Sequence, residues 1–275
     1  MGLRFKKILI SMLLGMLFST QGLSLELLMD DSPALAIHPS LPTLLTPSDS
    51  EQHDPKHFLK QDYSPALYSQ AIQPGPETSW HKIELVGQFN APSPLQKVLV
   101  VNTHILRNLS FYLFEGERLI QTRHLGLDNG QQQEWPYHSP HFPFQIQDGQ
   151  RLTLLIKMQT DGPGLMPMEI YSQAYYQKIT RMQDIFWGAV IAVLLATAFY
   201  NVFVYAMNPN LAYVWYLAFH CTAFVYFSAL NGFGYWLWPL KVQVALGQNI
   251  MSMNFLLIFI IVNFANVFLE AKKYA

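Results

Sequence analysis

The chain has a single cysteine among its 275 residues, and charged residues are almost absent between residues 185 and 269. The cysteine, Cys221, lies in this apolar part, so the sequence offers neither a disulfide framework nor a cysteine metal site. The sequence also lacks a nucleophile motif, a glycine-rich phosphate loop and a metal-binding helix with two histidines. We therefore expect no enzymatic activity within these residues, no cofactor and no nucleic-acid partner.

Charge divides the chain into two unlike halves. The averages of 51% hydrophobic and 13% charged residues, with a net charge of −1, conceal a change just after Gln177. Up to that residue the composition is that of a soluble domain, whereas Ile185 to Leu269 contains one formal charge, Lys241. We expect a water-soluble domain followed by a membrane domain over residues 178–275.

Residues 1–24 have the pattern of a signal peptide. Arg4, Lys6 and Lys7 precede an apolar run from Ile8 to Phe18, and small and polar residues follow through position 24. The apolar run is too short to cross about 30 Å of hydrocarbon, so a cleaved signal is favoured over an uncleaved anchor or a buried helix. Export would place the polar half of the chain in the periplasm or another extracytoplasmic space.

Three apolar runs are long enough to cross a bilayer as helices, at residues 185–207, 211–230 and 250–269. At 1.5 Å per residue, the first run would form about 35 Å of helix. With an exported N-terminal half and three crossings, we expect the C-terminus to lie on the cytoplasmic side of the membrane. Lys272 and Lys273 agree with the positive-inside tendency, while Lys178 and Arg181 oppose it.

The polar half predicts an all-β domain. Residues 25–56 contain several prolines and no sustained period, which is typical of a linker or a loosely ordered arm. From His57 the pattern changes: Ile83, Leu85 and Phe89 alternate with polar residues, as in a half-buried strand. Further short strands without an intervening amphipathic helix favour an antiparallel sandwich over 57–177, of jelly-roll type.

Asp148-Gly149 is the clearest turn signal in the chain. Apolar residues alternate before it, at 142, 144 and 146, and after it, at 152, 154, 156 and 158. Because Asp-Gly readily adopts the positive φ angles of a type I′ turn, the pattern predicts a hairpin. Glu115-Gly116-Glu117 predicts another turn.

The chain resembles a known family through fragments that occur in a fixed order and spacing. In the membrane half these are "GAVIAVLLATAFYNVFVYAM", "AYVWYLAFH" and "LNGFGYWLWP"; in the exported half the match is looser, through "SWHKIEL", "LSFYLFEGERL" and "FPFQIQDGQRLTLLIKMQT". The family is that of bacterial seven-transmembrane receptors with diverse intracellular signalling modules (7TMR-DISM). The resemblance covers about residues 57–270.

The resemblance implies an exported jelly-roll domain of extracellular type 2, similar to carbohydrate-binding modules, and the first part of a seven-helix membrane domain. In the family, a cytoplasmic output such as a diguanylate cyclase or a histidine kinase usually follows. The chain contains three of the seven spans, so we expect a fragment of a longer receptor, with a natural truncation as the alternative.

Aromatic side chains of the exported domain are candidates for ligand binding, because a sugar ring can stack on an exposed aromatic platform. The candidates are Trp80, Trp135, Tyr137 and Phe142, for each of which a role in core or loop packing is the simpler interpretation. His138 and His141 lie in a proline-rich loop without a neighbouring cysteine or carboxylate, so we predict no metal site.

Polar side chains inside the apolar runs are the second group of candidates. An ionisable group at membrane depth is costly and often functional, but a neutral histidine or asparagine that bonds a neighbouring helix is the simpler interpretation. These residues are Asn201, His220, Asn254 and Asn263. The connection after the second span forms a third group, predicted to lie at the membrane–water interface on the extracytoplasmic side. Its residues are Asn231, Gly232, Gly234, Trp236, Trp238 and Pro239.

The sequence thus predicts the sensory and membrane part of a signalling receptor, which binds an extracytoplasmic ligand of small-molecule or carbohydrate-like type. Its other expected partner is the lipid bilayer, and a homodimer is left open. Two other functions remain alternatives: a transporter or channel component with an accessory β domain, and a membrane-anchored binding module without signalling.

Overall fold

The structure of the protein is a computed structural model that describes residues 25–37, 40–46, 54–67, 78–90, 92–102, 106–126, 139–159 and 167–269. The predicted signal peptide, residues 1–24, lies outside this part. Within it, the strands are β1 Leu25–Met29, β2 Ala34–Ala36, β3 Ser40–Thr46, β4 Ser64–Leu67, β5 Thr78–Gly87, β6 Leu95–Val101, β7 Asn108–Glu115, β8 Arg118–Leu125, β9 His141–Ile146, β10 Arg151–Gln159 and β11 Met168–Ser172. The helices are a 3₁₀ helix at Pro55–Lys60, then α1 Gln173–Met207, α2 Leu211–Leu230, α3 Gly234–Leu237, α4 Leu240–Gln248 and α5 Ile250–Phe268.

The strands form two sheets that pack face to face. The larger sheet has seven strands in the order β4-β3-β5-β10-β7-β8, with β1 also paired to β5, and the smaller sheet has the order β2-β11-β6-β9. One buried apolar cluster joins them, in which Leu99 and Phe142 of the smaller sheet pack with Ile83 and Leu154 of the larger. The prediction of a β-sandwich followed by membrane helices is confirmed, and the jelly-roll assignment stays a prediction.

Period-two alternation explains which residues face this core. On β5, Ile83 and Leu85 are fully buried, while Lys82 and Glu84 point to the other face and lie 3.7 Å apart, from Nζ to Oε1. On β7, Leu109, Phe111 and Leu113 are all buried in the cluster between the sheets. Alternating apolar side chains therefore place one face of each strand on the core, as the sequence predicts.

The prediction of a loosely ordered arm over residues 25–56 is wrong for the described residues of that segment. β1 pairs with β5 in parallel, from Leu25 opposite Ile83 to Met29 opposite Gly87, and β3 pairs with the same edge of β5 further along. β2 joins the smaller sheet beside β11. Short strands need only a few residues and an open edge, so the prolines that indicated a linker are compatible with pairing here, where Pro42 lies opposite Pro65 of the edge strand β4.

The Asp148-Gly149 turn has the expected backbone but does not form a hairpin. Gly149 has a φ of 73°, yet β9 belongs to the smaller sheet and β10 to the larger, so the turn carries the chain between sheets. Its hydrogen bonds go to the end of β5: the Gly149 N–H donates to the Gly87 carbonyl at 3.0 Å, and Asp148 Oδ1 accepts from the Phe89 N–H at 2.8 Å. The hairpin prediction is therefore wrong, whereas the turn at Glu115-Gly116-Glu117 does join the paired strands β7 and β8, with Gly116 at a φ of 59°.

Among the described residues, three helices are long and apolar enough to cross a membrane, namely α1, α2 and α5. Helix α2 coincides with the predicted span, and α5 ends one residue earlier than predicted, at Phe268. Helix α1 begins at Gln173 instead of Ile185, directly after β11, and Ser172 Oγ accepts a hydrogen bond from the Tyr175 N–H at its start. Its 35 residues correspond to about 52 Å of helix, which is longer than the about 30 Å of hydrocarbon that a span has to cross.

Candidate functional site

Two cavities adjoin the first turns of helix α1. The first, the amide groove, has a volume of about 420 Å³ and lies between the β8 and β9 edges of the two sheets, reaching Gln173 at the start of α1. Six of its lining side chains are glutamines: Gln96, Gln121, Gln145, Gln147, Gln150 and Gln173. Apolar lining is supplied by residues such as Pro143 and Ile120, the latter 48% exposed.

Hydrogen bonds hold several of these amides in place. Gln121 of β8 donates from Nε2 to the Pro143 carbonyl of β9 at 3.0 Å, which ties the two sheets together at this edge. Gln150 Oε1 accepts from the Gln147 N–H at 2.9 Å, and Gln150 Nε2 donates to Glu115 Oε1 at 2.7 Å. Since each amide has two donor hydrogens and an acceptor oxygen, these bonds leave further hydrogen-bonding capacity on the glutamine side chains.

Lys97 is the one formally charged residue among the described residues that line the groove. It is buried, and its Nζ donates to the Ser32 carbonyl at 2.8 Å, so its charge is held at the turn after β1. Burial lowers the pKa of Lys97, and the nearby carboxylates of Asp30 and Asp31 act in the opposite direction. The groove thus combines neutral hydrogen-bonding groups with small apolar surfaces.

The predicted aromatic platform is not formed by Trp80 and Phe142, because both side chains are buried in separate clusters. Trp80 is 2% exposed and stacks on Phe58 of the 3₁₀ helix at a ring distance of 4.0 Å, on the outer face of the larger sheet. Phe142 is fully buried between the sheets and stacks on Phe111 at 5.1 Å. The other two candidates, Trp135 and Tyr137, lie outside the described residues.

Histidines do not gather into a metal site in the described part of the chain, where no group of three His, Cys, Asp or Glu side chains is placed to hold an ion. His141 is buried on β9, with Nδ1 3.2 Å from the Ser139 carbonyl. His138 lies outside the described residues.

The second cavity, the junction cleft, has a volume of about 320 Å³ and lies where the β-sandwich, helix α1 and the connection after α2 come together. The sandwich contributes Asn102, Ser139, Glu169 and Tyr171; helix α1 contributes Tyr176, Ile179, Gln183 and Trp187; the connection contributes Asn231 and Phe233. Tyr176 anchors α1 on the sandwich, because it is 4% exposed and packs on Val98 and Val100 of β6. The connection after α2 and the β-sandwich therefore line one cavity.

Glu169 is the polar centre of the junction cleft. Its Oε2 accepts hydrogen bonds from the Tyr171 hydroxyl and from Asn102 Nδ2, the latter at 3.0 Å. Burial, followed by the hydrogen bond to Glu169, raises the pKa of Tyr171, so this hydroxyl stays protonated and donates. The Tyr171 and Tyr176 rings stack nearly parallel, 5.9 Å apart.

The connection after α2 is folded and compact, with α3 and α4 inside it. Asn231 closes α2 by donating from Nδ2 to the Phe227 carbonyl at 2.9 Å, and Gly232 turns the chain with a φ of 78°. Helix α4 follows Pro239 and is tied back to α2 by Gln243, whose Nε2 donates to the Ala229 carbonyl at 3.2 Å. Trp238 packs edge-on against Phe224 at 5.8 Å, while the side chain of Trp236 lies outside the described part.

Three of the four polar side chains predicted within the spans bond their own helices, which differs from the interhelical bonds expected from the sequence. His220 Nδ1 is 2.9 Å from the Tyr216 carbonyl, so this nitrogen carries the proton. Asn201 and Asn263 likewise donate from Nδ2 to the carbonyls of Thr197 and Phe259, four residues earlier. Asn254 is exposed on the surface of α5.

The groove glutamines were missed by sequence reasoning, which considered aromatic residues alone as ligand contacts. A signal for part of the set exists, since Gln145, Gln147 and Gln150 follow one another closely in the sequence. Gln96, Gln121 and Gln173 are distant in sequence from these three and from one another, and only the pairing of the strands and the packing of the two sheets bring them together.

Two family models match the chain, one after the other. The model described as 7TMR-DISM extracellular 2 matches residues 43–172, and the model described as 7TM diverse intracellular signalling matches residues 183–275. The first match begins before His57, in agreement with the strands found in the segment expected to be an arm. A comparison with curated proteins finds no match.

Solved structures similar to the chain include a β-glucuronidase of Faecalibacterium prausnitzii, with 14% identity and a TM-score of 0.30 over 47% of this chain and 22% of the enzyme. A β-glucosidase of Kluyveromyces marxianus matches with 10% identity and a TM-score of 0.27 over 48% of this chain and 16% of the enzyme. These likenesses are too distant to carry an argument about function. The two family models, in this order and over these residues, show that the chain is a membrane protein with an extracellular domain and belongs to the 7TMR-DISM family of receptors.

Proposed function

We propose that the chain is the ligand-sensing and membrane part of a bacterial signal-transduction receptor. The β-sandwich lies in the periplasm, the spans lie in the inner membrane, the C-terminus is cytoplasmic, and the signal passes to a cytoplasmic output. The observation that carries the proposal is the direct joining of β11 to α1 at Ser172 and Gln173, because a strand of the sensor domain thereby continues into a membrane-spanning helix.

The amide groove is the ligand site in this proposal. Its glutamines can donate to and accept from hydroxyl groups, and its proline and isoleucine surfaces can pack on the C–H face of a sugar ring. Because the charge of Lys97 is held by the Ser32 carbonyl, the groove favours a neutral polyhydroxylated ligand, of carbohydrate-like type.

Signalling requires that the ligand bind two conformations of the receptor unequally. The groove is lined by both sheets and by Gln173, so a ligand that bridges them would favour one position of α1 relative to the sandwich. The rival function, transport, is less well supported, since His220, Asn201 and Asn263 donate hydrogen bonds within their own helices.

The test is a thermal-shift screen of neutral oligosaccharides and sugar alcohols on the full chain in nanodiscs, followed by calorimetric titration of any compound that stabilises it. Gln121→Leu and Gln145→Leu should each weaken binding about fivefold, because a neutral hydrogen bond contributes about 1 kcal/mol. Gln88→Leu, at an exposed position outside the groove, is the matched control and should leave the affinity unchanged. If no neutral polyol binds, or if all three variants bind equally, the groove is not the ligand site.

A further inference from the structure

The junction cleft has a lining unlike that of the amide groove. Four of its lining side chains are aromatic: Tyr171, Tyr176, Trp187 and Phe233. Aromatic rings carry negative charge density on their faces, so a cavity lined by them attracts cations more than anions. The rings come from the sandwich, from α1 and from the connection after α2, and the cleft therefore exists only where these three parts are assembled.

The formal charge in the junction cleft also favours a cation over an anion. Glu169 is the one formally charged side chain among the described residues that line it. The Tyr171 hydroxyl and Asn102 Nδ2 donate to Glu169 Oε2 and fix the position of the carboxylate, but both donors are neutral and leave its negative charge in place. A partly buried carboxylate of this kind is stabilised by a cation.

The type of cation follows from the ligands available. A metal ion needs several charged or strongly coordinating groups, and the described residues contain no group of three His, Cys, Asp or Glu placed to hold one. One carboxylate together with several aromatic rings is instead the combination that recognises an organic ammonium group, through charge on one side and cation–π contact on the others.

We propose that the junction cleft binds an organic ammonium group. The site is distinct from the amide groove and does not depend on the function proposed for it. An ammonium compound dissolved in the periplasm and the headgroup of an ethanolamine or choline lipid present the same chemistry, and Trp187 and Phe233 lie at the ends of the spans where a headgroup could reach them. A bound cation would hold the sandwich, α1 and the outer connection together.

The test uses the full chain in nanodiscs of phosphatidylglycerol, a lipid without an ammonium group, titrated calorimetrically with tetramethylammonium chloride and, as a blank, with sodium chloride. We expect saturable binding of tetramethylammonium alone. Glu169→Gln should weaken it at least tenfold and Trp187→Leu at least threefold, whereas Glu117→Gln, at an exposed carboxylate on the β7–β8 turn, should bind like the parent chain.

A thermal unfolding transition without ligand establishes that each variant is folded. If Glu169→Gln does not fold, the affinity of Trp187→Leu alone decides whether the cleft is the binding site. Repeating the titration in nanodiscs that contain phosphatidylethanolamine identifies the source of the ligand: weaker apparent affinity indicates that the headgroup occupies the cleft, and unchanged affinity indicates a soluble compound. The proposal would be overturned if the parent chain showed no saturable binding, or if Glu169→Gln and Trp187→Leu both bound tetramethylammonium as tightly as the parent chain. Loss of sugar binding in the groove variants has no bearing on it.

Discussion

His81 is a histidine enclosed in the β-sandwich, at a position where its protonation would be costly. It is fully buried on β5, and its Nδ1 lies 3.0 Å from Thr43 Oγ1 on β3. Burial lowers the pKa of His81 from 6.5 to about 4. Between these two values the unfolded chain binds a proton that the folded chain does not, so stability is lost as the pH falls through this window.

We therefore expect the thermal midpoint of the sandwich to decrease as the pH is lowered from 6.5 to about 4, because the unfolded chain takes up a proton at His81 that the folded chain does not. The measurement is thermal unfolding followed by tryptophan fluorescence over this pH range. His81→Gln, which retains a polar partner for Thr43 but does not titrate, should have a flatter pH dependence. His57→Gln, at an exposed position of the 3₁₀ helix, should retain the slope of the parent chain, and equal slopes in both variants would contradict the prediction.

At the scale of single residues, the sequence predicts which face of a strand a side chain lies on better than it predicts which residues that side chain contacts. The alternation on β7 correctly places Phe111 in the core, because period two is a property of one strand. Burial of Trp80 depends on Phe58, which reaches it only through the folding of the 3₁₀ helix over the sheet. The groove glutamines are a second such case, since their common site is created by the edges of two sheets.

At the scale of elements, the packing of α4 on α2 depends on one glycine. A Cβ added to Gly234 would lie 1.8 Å from Gln243 Oε1 and 2.7 Å from Trp238 Nε1. Gln243 is 1% exposed and is held by its bond to the Ala229 carbonyl, so it cannot move aside without losing that bond. The space at Gly234 is therefore required for α4 to fold back on α2.

Gly234→Ala should accordingly destabilise the membrane domain by about 1–3 kcal/mol, through overpacking and the loss of the Gln243 bond. Gly188→Ala is the matched control, since an added Cβ at this position of α1 meets nothing within 4 Å and alanine has the higher helix propensity. Thermal unfolding of both variants in detergent measures the change in stability, and hydrogen exchange over residues 234–248 measures the local opening of the connection. A Gly234→Ala variant as stable as the parent chain, with unchanged exchange in α4, would refute this account of the connection.

The elements that the sequence mispredicts share a physical cause. Residues 25–56 look like a linker because β1, β2 and β3 are short and prolines lie within β3 and between the strands. Their stability comes from the edges that β5 and β11 provide. The Asp148-Gly149 turn looks like a hairpin because the preference of this dipeptide for a positive φ at Gly149 is a property of the local sequence. The sheet that each flanking strand joins is instead decided by its distant pairing partners. Local signals therefore predict the turn and the strands beside it correctly but not their pairing.

At the scale of the whole molecule, the spans were predictable because the bilayer imposes a length and an apolar composition on them. Helices α2 and α5 match the predicted spans within a residue. The extension of α1 back to Gln173 was not predictable in the same way, because its first turns carry the polar composition of the exported domain and are stabilised by the packing of Tyr176 on β6. The resulting continuity from sheet to membrane is the feature that connects the candidate ligand site to the spans.

The orientation of the molecule in the membrane is the premise on which both proposed sites depend. In a Cys221→Ser background, which removes the only cysteine of the chain, a single cysteine can be introduced at Lys241→Cys in α4 or at Pro209→Cys between α1 and α2, both exposed positions. Because a chain that crosses the membrane between these positions places them on opposite sides, a membrane-impermeant maleimide should label Lys241→Cys in intact spheroplasts and Pro209→Cys only after lysis. The opposite labelling pattern would put the β-sandwich in the cytoplasm, where a sugar or ammonium ligand present in the periplasm could not reach it.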